Sequence, residues 1–94
     1  MNQKRIELLQ SYIEKEPDDP FNRYALAMEY YEIDIPKAQK ILVDLSKKHP
    51  DYLPTYFKAA HLFWETEERD KASHFLQLVF SLQKIKMIKK HYRN

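Results

Sequence analysis

The sequence predicts an all-α fold, a single domain of about five helices joined by short turns. Apolar residues recur at intervals of three and four, and no run alternates with the period of two that marks a strand. Proline and aspartate fall in clusters that cut the chain into helix-length pieces. Glycine is absent from the 94 residues, so the turns rest on those clusters alone. They lie at Pro17-Asp18-Asp19-Pro20, around Asp34-Ile35-Pro36, at His49-Pro50-Asp51, at Pro54 and around Glu68-Arg69-Asp70.

Ile6, Leu9, Tyr12 and Ile13 mark one face of a first helix over residues 1–16, which ends before Pro17. Asp19 is placed to cap a second helix from Pro20 to about Glu32, because a proline in the first turn forfeits no intrahelical bond. Pro36 opens a third helix to about Lys48, with Ala38, Ile41, Leu42 and Leu45 inward. A fourth runs from Leu53 to Thr66, and Asp70 is placed to cap a fifth that continues without interruption to about His91. The candidate core is Leu9, Ile13, Leu26, Tyr30, Leu42, Leu45, Phe63, Leu76 and Val79. Alanines at 25, 27, 38, 59, 60 and 72 let helix axes approach closely.

One spacing occurs twice. Tyr56, Ala59, Ala60 and Phe63, then Ala72 and Leu76, are echoed by Arg23, Leu26, Ala27 and Tyr30, then Ala38, Leu42 and Pro50. Ala38 to Ala72 is 34 residues and Pro17 to Pro50 is 33, while Leu9 to Pro17 repeats the interval from Leu42 to Pro50. This spacing resembles the tetratricopeptide repeat (TPR), a helix–turn–helix unit of about 34 residues. The resemblance covers roughly residues 5–83, although the tryptophan and glycines of the family pattern are replaced here. It implies a right-handed α-α solenoid of antiparallel helices: an N-terminal helix over 1–16, repeat one over 20–49, repeat two over 53–83, and a basic extension over 84–94. The residue by which the first copy is shorter falls in the turn at Ile33-Asp34.

Composition excludes several function classes. Without cysteine there is no disulfide framework, Cys-based zinc site or thiol nucleophile. Without glycine, phosphate-cradling loops are disfavoured, because they need backbone that approaches a ligand closely. No stretch of about 18 apolar residues and no signal-like leader is present, so the expected protein is cytoplasmic, with no membrane partner. Ser11, Ser46, Ser73 and Ser81 sit at helical positions with no histidine–carboxylate partner signature. His61 and Glu65 lie one turn apart but lack the second histidine of an HExxH metal site, so a hydrogen-bonded His61 is the expectation. No catalysis, cofactor or metal is expected.

A binding surface has better support. One hundred degrees round from the packing face, Tyr24, Met28 and Tyr31 are matched at an interval of 33 by Phe57, His61 and Trp64, and Phe21 extends the first set. The resemblance implies that this face lines a concave groove, floored here by aromatic rings and methionine, which give large contact area at small entropic cost. The competing reading is that part of the same arc packs one first helix against the other, and a shared wall is compatible with partly exposed rings. Family members that hold a chaperone's C-terminal carboxylate do so with Lys, Arg and Asn, where this chain has Tyr24, Met28 and Phe57, so that activity is not implied.

The expected function is a non-enzymatic interaction module that docks a peptide or protein segment in the groove. The alternative is a self-associating scaffold. Along the last helix Leu78, Ser81, Ile85, Ile88 and Tyr92 follow heptad spacing, which points to a homodimer supported by repeat surface such as Leu62. Nucleic-acid binding is the remote alternative. Residues 71–94 hold six basic residues and no acid, but against a net charge of +2 this gives a small phosphate footprint at one helix end.

Overall fold

The computed structural model describes residues 3–91. Among them the chain forms five α-helices and no strand: α1 (Gln3–Lys15), α2 (Pro20–Tyr31), α3 (Ile35–Lys48), α4 (Leu53–Glu65) and α5 (Arg69–His91). Each helix packs most closely against the next in sequence, as connections of three or four residues favour.

The turn chemistry acts as the sequence implies. Asp19 caps α2, its Oδ1 accepting from the Phe21 amide at 3.0 Å, with Pro20 in the first turn. Asp34 caps α3 in the same way through the Lys37 amide at 3.1 Å, so this helix begins at Ile35, one residue before Pro36. Asp70 does not cap α5. The helix starts at Arg69, which places Asp70 inside the first turn, where its charge still favours the positive helix end.

The α4–α5 turn shows how a chain without glycine reverses. The Glu68 amide donates to Phe63 O at 2.9 Å and the Glu67 amide to Trp64 O at 3.1 Å, the paired bonds of a Schellman C-cap. The geometry requires left-handed backbone at the residue between, and Glu67 takes it with φ 60°. A side chain in that region costs about 1–2 kcal/mol, part of which glycine's extra unfolded-state freedom would offset. Glu67→Gly is therefore expected to stabilise by about 1 kcal/mol, a rise of about 4–8 °C in melting temperature for a domain of this size. An unchanged or lower melting temperature in a calorimetric scan would contradict the cap.

Two clusters make the core. The larger joins Ala27, Ala38, Leu42, Tyr56, Ala59, Ala60, Leu62, Phe63, Ala72, Phe75 and Val79, and the smaller joins Ile6, Leu9 and Leu26. Every alanine in the larger cluster is at most 5% exposed, so the helices approach where side chains are smallest. Phe75 stacks on Phe63 with centroids 5.8 Å apart and lies tilted on Tyr56 at 6.1 Å. Between α3 and α4, buried Gln39 donates through Nε2 to Leu62 O at 3.2 Å and to Thr66 Oγ1 at 3.0 Å, satisfying an amide that would otherwise cost stability.

Three core assignments change. Leu76 is 43% exposed, since α5 turns Ala72, Phe75 and Val79 toward α4 and leaves Leu76 on its outer edge. Tyr12 is likewise exposed, the inner face of α1 being Ile6, Leu9 and half-buried Ile13. Leu62, expected on the surface, is fully buried. The radius of gyration is 14.5 Å, against about 12 Å for a compact globule of this length, and the extents are 45 × 35 × 16 Å. The molecule is a flat array with long edges and a modest core.

Candidate functional site: the aromatic face of α2 and α4

Tyr31, the last residue of α2, meets α4. Tyr31 and His61 stack at 6.3 Å between centroids, and Tyr31 Oη donates to Glu65 Oε1 at 2.7 Å. His61 Nε2 lies 2.7 Å from the same oxygen, and the Lys58 ammonium sits 5.3 Å from the centre of the Tyr31 ring. One carboxylate thus fixes two rings from neighbouring helices. Its hydrogen bond to Tyr31, aided by desolvation and by its charge, holds that phenol above its ordinary pKa, so the hydroxyl remains a donor through the neutral range.

Phe21, Phe57 and Trp64 stand out from the surface at 58%, 49% and 57% exposure. The Arg69 guanidinium lies 4.5 Å above the Trp64 ring, which ties the end of α4 to the start of α5. Tyr24, Met28 and Tyr31 are half-buried and pack on the larger core cluster, and Tyr24 also meets Tyr52 edge-on at 6.1 Å. Burial raises the pKa of both phenols. The face is therefore divided: α2 contributes mostly wall through Tyr24, Met28 and Tyr31, while Phe21 and the α4 rings offer free area.

His61 is engaged by Glu65, and among the described residues no group of three His, Cys, Asp or Glu is placed to hold a metal ion. No helix among the described residues is long and apolar enough to cross a membrane.

The second predicted surface, along α5, is only partly assembled as expected. Ile85 and Ile88 are 49% and 47% exposed, but half-buried Leu78 turns back toward the body. With Ile85, Leu82, Ser81, Tyr56, Pro50 and Asp51 it lines an apolar hollow of ≈ 330 Å³, which Tyr56 braces by donating its hydroxyl to Pro50 O. Lys86 Nζ reaches the Asp51 carbonyl at 3.4 Å across the same corner. Tyr92 and Arg93 lie outside the described residues, and buried Leu62 takes no part in this surface. The sequence reading missed Phe80 and Met87, each 68% exposed, which join Leu76 on the outer edge of α5. Their spacing of four and seven residues, three turns in all, was the available signal.

Family models, curated proteins and solved structures were each compared with the chain, and none matched.

Proposed function

We propose that the chain is a non-enzymatic interaction module that docks an apolar peptide or protein segment across the α2–α4 face. The observation that carries this reading is the exposure of Phe21, Phe57 and Trp64 on two helices locked together by the Tyr31–Glu65–His61 contacts. Rigid aromatic side chains on a preorganised surface are the residues that dominate binding energy elsewhere. The tetratricopeptide-like arrangement, in which α2 and α4 are the first helices of successive repeats, belongs to the same proposal, as does a cytoplasmic site of action. Two repeats give a short groove and affinity of about micromolar order.

Capture from a lysate of the native cells tests it. Phe57→Ala with Trp64→Ala is expected to keep the helical circular dichroism and to reduce capture at least tenfold, because about 1.4 kcal/mol of lost contact already corresponds to that factor. Equal capture by parent and variant would remove the aromatic face from the function. The alternative, a scaffold that associates with itself, is supported by the apolar residues left exposed on α5 at Leu76, Phe80, Ile85, Met87 and Ile88.

A further inference from the structure

The two terminal helices of the array each present an uncovered apolar edge. On α1, Ile6 and Leu9 face inward, while Leu8 and Tyr12 stand outward at 50% and 42% exposure. On α5, one side borders α3 across a hollow of ≈ 390 Å³ that reaches from Val43 and Ser46 to His74 and Leu78. The other side carries Leu76, Phe80 and Met87, exposed at 43%, 68% and 68%. In a linear array a terminal element keeps a polar outer face if nothing is to stack on it. The outer edge of α5 does not, and on α1 Leu8 and Tyr12 interrupt a face that is otherwise charged or polar.

The charges of the two ends are opposite. Residues 1–19 hold three cations against five carboxylates, and four of those acids, Glu14, Glu16, Asp18 and Asp19, lie at the C-terminal end of α1 and its turn. The C-terminal half of α5 carries Lys84, Lys86, Lys89 and Lys90 with no acid. We propose that a second copy of this chain covers each edge, with α5 of one molecule lying parallel to α1 of the next. One register satisfies both features. Leu76 and Phe80 have the four-residue spacing of Leu8 and Tyr12, and laying these pairs together brings Lys84 level with Glu16, while Lys86 stays on the Asp51 carbonyl of its own chain. The antiparallel alternative sets the lysines beside Lys4 and Arg5 and loses this match. A contact of α5 on α1 uses different surfaces on the two partners, so successive copies add into a ring or an open chain according to the rotation between them.

The footprint is limited by α1, about 20 Å long and about 10 Å wide, well below the ~800 Å² that each partner buries in a stable interface. The association is weak and reversible, and it concerns a surface separate from the α2–α4 face. Sedimentation of the purified chain up to about 1 mM tests it, a concentration that reveals contacts of only ~4 kcal/mol. The parent is expected to pass beyond dimer mass at low salt and to need several-fold higher concentration in ~0.5 M salt, where screening acts within about 4 Å.

Two variants at exposed positions each block one end: Leu8→Asp with Tyr12→Asp on α1, and Phe80→Asp on α5. Each alone is expected to be monomeric with unchanged helical circular dichroism, and a 1:1 mixture to form a dimer and stop there. A parent that stays monomeric throughout overturns the proposal. So does self-association of the α1 variant alone, which would mean that α5 pairs with α5, and so does a mixture that remains monomeric.

Discussion

Leu62→Ala is expected to lower the unfolding free energy by about 2–5 kcal/mol. Leu62 has no exposed surface and sits in the larger core cluster, while its carbonyl accepts the buried Gln39 amide, so the space left by truncation is walled by helix on every side. A chain of this length has a total stability of about 5–14 kcal/mol, which makes the loss a third or more of it in many cases. Urea denaturation should show a lower midpoint with an unchanged slope. A loss under about 0.5 kcal/mol, the usual effect of a surface change, would return Leu62 to the outside of α4.

Ala60→Leu is expected to cost about 1–3 kcal/mol by the opposite route, overpacking. Ala60 and Ala72, at 5% and 1% exposure, share the larger core cluster with the stacked Phe63 and Phe75 and are expected to face each other across the α4–α5 hairpin. Three added carbons on α4 have to push α5 outward or leave favoured rotamers. A thermal melt within about a degree of the parent would mean that the hairpin holds an unfilled void beside Ala60. The two substitutions probe one helix pair from both sides, too large a space and too small, and residues in contact there should not add independently.

The existence and order of the helices were legible because their causes are local. Asp19 with Pro20, and Asp34 with Pro36, set helix starts by chemistry within three residues. The alanines were legible as contact points because a small side chain at regular spacing has few other uses. What the pattern could not fix was rotation about each helix axis. Leu62 and Phe63 are adjacent apolar residues on α4, and only the position of α3 decides that both are buried. Leu76 is the converse case, because the repeat spacing aligned it with buried Leu42, whereas α5 turns Ala72, Phe75 and Val79 inward and leaves it exposed. At the candidate site, aromatic identity and the 33-residue interval were visible in advance. The role of Glu65 was not, since a carboxylate that joins rings on two helices becomes apparent only once α2 and α4 lie together.

The division of the core into two clusters has a consequence for how the molecule breathes. Among the described residues only half-buried Tyr30 and Ile41 pack against both clusters, so α1 is held mainly by Ile6, Leu9 and their contact with Leu26. Lifting α1 therefore sacrifices a small share of the buried apolar surface and leaves the α3–α4–α5 core intact. While it is lifted, Leu26 and Ile41 form a transient apolar slot along α2 and α3, roughly one helix wide. A four-helix body with a free N-terminal arm is the form that such an opening would yield, and a ligand that fits the slot would favour it by its differential affinity.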